Sequence, residues 1–195
     1  MDVFASTANF EAMFPVGGVE VMLALVALSG GLCVLLFLLL RGRLGWLTAG
    51  SIAGFLWALA VIGILTLIPA NGAPGVVPAE GRLATCSWDV GGPAPEGFWI
   101  FSGGQRMLNV LVFVPAGVLL VLALARWRAA WVLVPLGLAG LAAYSVAIEA
   151  TQLELARIDR ACDVTDVIDN VTGAVLGVGI GIVLALALRP WRQRH

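Results

Sequence analysis

The chain has no lysine: all 11 basic residues are arginine. Histidine occurs once, as His195, beyond the last apolar run. A Schiff-base lysine is excluded, and neither a Ser–His nucleophile pair nor a histidine-ligated metal has the residues to be built. Charge is scarce too, at 12% of 195 residues with a formal net charge of -1, and no basic patch exists for a nucleic-acid partner. With 61% hydrophobic residues and a mean hydropathy of +1.01, too little polar surface remains to wrap a water-soluble globule of this length. The solvent for most of the chain is lipid.

What is present is a set of five long apolar runs, about 19–40, 47–68, 107–125, 130–152 and 167–188, each near the ~20 residues that cross hydrocarbon. No open sheet can satisfy its backbone there, so the runs are expected to be helices. The expected fold is an all-α integral membrane protein, a five-helix transmembrane bundle forming one polytopic domain over residues 1–195. Seven arginines (Arg41, Arg43, Arg126, Arg128, Arg189, Arg192 and Arg194) lie at one set of span ends, with Trp46, Trp127, Trp131 and Trp191 beside them. By the positive-inside rule that side is cytoplasmic, in agreement with the interfacial tryptophans. All 12 carboxylates fall at the other side. The N-terminal segment, with Asp2 and Glu11 and no basic residue, is then expected outside and the C-terminus inside, in a plasma membrane. A basic n-region is missing before the first span, which is read as a retained helix.

Two outward loops follow. The longer, about 69–106, carries Pro69, Pro74, Pro78, Pro93 and Pro95 with several glycines and reads as one long irregular cap. Trp88, Phe98, Trp99 and Phe101 in it either dip into the membrane interface or pack against helix ends. The shorter loop, about 153–166, holds Arg157, Asp159, Arg160, Cys162 and Asp163. Cys33 lies inside the first span and is read as an apolar filler. Cys86 and Cys162 lie one in each outward loop, where oxidation is permitted, and are expected to form a disulfide that pins the long loop over the end of the fifth span.

Several spans carry polar groups that lipid penalises. The third opens with Arg106 and Asn109 and continues through Pro115, which deletes one backbone hydrogen bond and is expected to kink the helix. The fourth ends with Ser145, Glu149 and Gln152, whose spacings of four and three place them on one stripe. Glu149 lies about 27 Å along the helix from Trp131, near the edge of the hydrocarbon and at the helix end that repels an anion. Arg106, Arg157, Arg160, a bound cation or protonation would have to compensate it. The fifth span begins with Asp163, Asp166, Asp169 and Asn170 and continues through Gly173, Gly177 and Gly181. Asp166, Asn170, Gly173 and Gly177 share one helical face, and the glycines allow close approach of span three or four. Asp163 with an acid three residues on is also an ordinary helix start.

These stretches, NVLVFVPAG at 109–117 and IEATQLELARIDRACDVTDVIDNVTGAVLG at 148–177, resemble the VanZ-like family. The shared pattern falls on Asn109, Pro115, Gly117, Glu149, Gln152, Arg157, Asp163, Asp166, Asn170 and Gly173, and the resemblance covers residues 106–180. It implies a membrane protein of the bacterial cell envelope linked to lowered susceptibility to teicoplanin-type lipoglycopeptides, with no established reaction.

Three functional readings stand together. In the first, Arg106, Asn109, Ser145, Glu149, Gln152, Arg157, Asp163, Asp166 and Asn170 line an outward-facing polar pocket for a lipid-linked cell-wall precursor or a lipid-tailed ligand such as a lipoglycopeptide. In the second, Glu149, Asp163 and Asp166 hold a divalent cation, Mg or Mn, that polarises a lipid-linked phosphate, oriented by Asn109, Asn170 and Arg157. In the third, the same groups form a structural polar clamp with no ligand. A small transporter is disfavoured because no inverted repeat is visible.

Overall fold

The computed structural model describes residues 17–68, 85–90, 104–155 and 162–192. The expectations placed on Asp2, Glu11, Arg157, Asp159 and Arg160, and on the rest of the 69–103 stretch, fall outside them. Five helices follow one another: α1 (Val19–Leu44), α2 (Trp46–Leu67), α3 (Gly104–Leu124), α4 (Ala130–Leu155) and α5 (Val164–Leu188), with a 3-10 turn at Pro190–Arg192. All five are long and apolar enough to cross a membrane, and the only strand-like pairing among the described residues is an isolated bridge between Ser87 and Asp163. The chain is a five-helix membrane bundle.

The helices overrun the apolar runs by up to about a turn, mostly at the acidic end. Hydropathy marks only the length that lipid covers, whereas a helix continues until its backbone groups are capped. Asp163 decides the start of α5: its carboxylate accepts the Thr165 N–H at 2.8 Å, so the helix begins at Val164 and the connection from α4 is shorter than the expected 153–166. α3 continues through Pro115 and α4 through Pro135. Polar side chains along the spans return hydrogen bonds to their own helices, as Ser51 does to the Leu47 carbonyl, Thr66 to Ile62 and Thr172 to Ile168.

α1 is apolar all round and buries none of its residues; Leu23, Leu28, Leu32 and Leu39 are exposed to the surroundings that lipid would fill. It packs mainly on α2, where the Trp57 indole N–H donates to the Val26 carbonyl at 3.2 Å and the ring covers Gly30. Gly45, at φ 77°, reverses the chain in one residue, a conformation that side chains disfavour. At this end the Arg126 guanidinium donates to the Leu44 carbonyl, tying the end of α3 to the end of α1.

α3 is the hub, packed on α5, α2 and α4. Phe113, Ala116 and Leu120 of α3 meet Ile62 of α2, Leu141 and Ile148 of α4 and Ala174 of α5 in the main apolar core. Against α5 the contact is backbone on backbone. A Cβ on Gly173 would fall on the Val110 carbonyl oxygen, one on Gly177 on that of Val114, and one on Gly181 against Val118. Each pair is separated by the same 63 residues as Arg106 and Asp169, so the two helices run parallel in one register for more than three turns. Because lipid tails are as apolar as leucine, such an association has to rest on close packing and interhelical hydrogen bonds, and the glycines permit both.

Candidate functional site

The register of α3 and α5 sets the geometry of the acidic end. Thr165, Asp169, Gly173, Gly177, Gly181 and Ala185 recur every four residues on α5, and all are buried against the bundle. Continued backwards, the glycine ladder reaches Asp169, whose side chain has no exposure. Arg106, 12% exposed, meets it in a two-point pair, Nε to Oδ2 at 2.8 Å and Nη2 to Oδ1 at 2.9 Å. Asp169 had no place among the expected site residues, which followed the stripe through Asp166 and Asn170. The stripe that packs is displaced toward Asp169, with Asn170 beside it and Asp166 half-buried in the first turn.

α4 brings its stripe to the same place. Ser145, Glu149 and Gln152 are all buried and point three different ways. The Ser145 hydroxyl accepts from Asn170 Nδ2 at 2.9 Å. Glu149 Oε2 accepts the backbone N–H of Asp163 at 3.2 Å, and Gln152 Nε2 donates to the Thr66 carbonyl of α2 at 3.0 Å. Of the compensations weighed for Glu149, Arg106 is engaged by Asp169, and Arg157 and Arg160 lie outside the described residues. The positive end of α5 supplies one N–H to the Glu149 carboxylate. The Thr66 carbonyl was not visible as a partner in the sequence, because a main-chain acceptor has no residue signature.

Cys86 and Cys162 form the disulfide, with Cα atoms 4.6 Å apart. Around it Ser87 N donates to the Cys162 carbonyl at 2.9 Å, Val164 N to the Ser87 carbonyl at 3.1 Å and the Thr165 hydroxyl to the Asp89 carbonyl at 3.2 Å. The 85–90 segment thus lies on the first turn of α5, pinned as the cysteine positions suggested. Trp88 projects away, exposed, rather than packing on the helix ends.

Of the expected site, Asn109, Ser145, Glu149, Gln152 and Asn170 are buried and Arg106 is nearly so, in a polar band at the acidic ends of α3, α4 and α5, and Arg157 lies outside the described residues. From Ser145 to Gln152 the band is about 10 Å deep at 1.5 Å per residue. Glu149, Asp163 and Asp166 do not form the expected metal-ligand set: among the described residues no three acidic, cysteine or histidine side chains are grouped to hold an ion. The reason is local: the Asp163 carboxylate caps its own helix, while Glu149 reaches a backbone N–H. Among the described residues, four buried side-chain atoms of the band have no hydrogen-bond partner: Arg106 Nη1, Asn109 Nδ2, Gln152 Oε1 and Asn170 Oδ1. Each such atom costs about 1–3 kcal/mol when left unmatched, so the set is expensive for structure alone.

Apolar helices around an apolar core, with buried polar groups at one end, define a multi-pass membrane protein. The VanZ/LLP1 family model matches residues 55–186, well over half of the chain, and the protein belongs to that family. The match takes in α2 from its middle, further than the 106–180 resemblance, and leaves out α1. Neither the curated proteins nor the solved structures give a match.

Proposed function

We propose that this VanZ-family protein binds a lipid-linked or lipid-tailed ligand in the polar band, with the acidic end facing out of a bacterial plasma membrane. The N-terminus is then outside and the C-terminus cytoplasmic. The observation that carries the reading is the set of four unmatched buried polar atoms on α3, α4 and α5, which a bound headgroup would satisfy while its tail stays in lipid. The orientation draws on Arg41, Arg43, Arg126, Arg128 and Arg189 at the opposite helix ends and on the Cys86–Cys162 disulfide at the acidic end, which belongs in an oxidising compartment. A lipid-linked cell-wall precursor and a teicoplanin-type lipoglycopeptide both present a polar head on an acyl or prenyl tail.

Susceptibility of cells with and without the gene to teicoplanin and to vancomycin tests it, with an Asn109→Leu variant expressed at equal level. Loss of the gene is expected to lower resistance to the tailed drug more than to the untailed one, and Asn109→Leu to behave like the loss. An unchanged pair of values sinks the antibiotic link. The two-point Arg106–Asp169 pair supports the structural clamp as a second reading, under which Asn109→Leu leaves every susceptibility unchanged. A cysteine-accessibility map from both sides of the membrane tests the orientation.

A further inference from the structure

We infer that the polar band selects a neutral carboxamide-bearing headgroup rather than a phosphate. The inference rests on the ligand-binding reading of that band and names the chemistry it takes.

The unmatched atoms come from side chains at least nine-tenths buried for the three carboxamides: Asn109 is 9% exposed, Gln152 3% and Asn170 2%. They are sorted by helix. Both unmatched donors, Arg106 Nη1 and Asn109 Nδ2, stand on α3, three residues apart and so on one side of it. Both unmatched acceptors, Gln152 Oε1 and Asn170 Oδ1, stand on α4 and α5. A ligand that satisfies all four accepts hydrogen bonds from α3 and donates to α4 and α5. A trans amide does this with one planar group, whose C=O and N–H point in opposite directions. A phosphate accepts only, and would set its oxygens against Gln152 Oε1 and Asn170 Oδ1.

Charge leads the same way. The Arg106 guanidinium is already matched by Asp169 through two hydrogen bonds, so its remaining N–H is the donor of a neutral ion pair. Asn109, Gln152 and Asn170 are uncharged, and the other buried ionisable group of the band, Glu149, is an acid that does nothing to attract an anion. Burying a phosphate here would therefore put an anion beside a compensated pair, and leaving a charge unmatched in a buried site is far more costly than burying a neutral amide that is fully hydrogen-bonded.

The test uses the purified full chain in lipid nanodiscs, titrated by ligand-observed NMR with N-octanoylglycinamide, octyl phosphate and octyl glucoside, which share one tail length. Empty nanodiscs measure partitioning. Saturable binding of the amide at least about tenfold tighter than either other probe is expected, weakened about tenfold by Asn109→Leu, as the loss of one buried hydrogen bond implies. Gln152→Leu, on α4, is expected to weaken it similarly, and thermal unfolding of both variants checks that they are folded. Octyl phosphate binding as tightly as the amide, and lost in Asn109→Leu, overturns the carboxamide assignment while leaving a tailed-ligand site in place. Octyl glucoside binding as tightly does the same in favour of hydroxyl groups. Amide uptake no greater than in empty nanodiscs means that waters alone fill the band and overturns the inference, with the parent reading judged by the susceptibility comparison.

Discussion

The lower and upper parts of the α3–α5 contact share one pair of helices and one 63-residue register, yet they are built differently. Below, Gly173, Gly177 and Gly181 let backbone rest on backbone. Above, Arg106 and Asp169 hold the same spacing with long charged side chains, and beside them polar atoms go unmatched. The glycine seam does the work of association, so the upper end is free to carry groups that do not improve stability.

Mutations that break this division are expected to differ in size. Asp169→Ala leaves the Arg106 charge buried without its partner and should destabilise by about 3–5 kcal/mol, whereas Arg106→Met with Asp169→Leu together should recover most of the loss. Chemical denaturation in detergent measures both; equal losses in the single and double variants would show that the pair is not an isolated buried ion pair. Next comes Gly177→Val, whose Cβ meets the Val114 carbonyl and the Gly117 backbone, neither of which can yield as a side chain would. A loss of about 3 kcal/mol is expected, and a wild-type unfolding midpoint would remove the seam from the account.

Cys86→Ser with Cys162→Ser opens a closed stretch of 76 residues. The usual chain-entropy value is a ceiling here, because inserted helices α3 and α4 stay ordered when the outer contacts open; about 2 kcal/mol is expected. Hydrogen exchange should rise at Ser87 and Val164 first, and uniform exchange across all helices would contradict a local clamp. The smallest effect on stability belongs to Asn109→Leu, within about 1 kcal/mol in either direction, because it removes a buried donor that has no partner. A loss comparable to that of Asp169→Ala would place Asn109 in the structural half of the comparison.

Much of this was readable one segment at a time. Hydropathy located five helices, the Asp163 cap pattern matched the start of α5, and two cysteines at the acidic end paired. Asn109, Ser145, Glu149, Gln152 and Asn170 were identifiable because a polar side chain inside an apolar run is anomalous wherever it points. Asp169 was the exception: with Asp166 and Asn170 nearby, several helical faces looked equally polar, and choosing among them needed the partner helix. The grouping of the acids was hidden for a related reason: among the described residues Glu149, Asp163 and Asp166 do not converge, and two of them, Asp163 and Glu149, are committed to different backbone N–H groups.

Helix length, lipid burial and capping depend on neighbours within a few residues, so the order of amino acids alone determined the number of spans, their limits to within about a turn and the polar end. Which carboxylate meets Arg106, which groups go without partners and where Gln152 finds its acceptor depend on contacts across α2, α3, α4 and α5. Those contacts were decided only when the glycine seam locked two helices together 63 residues apart.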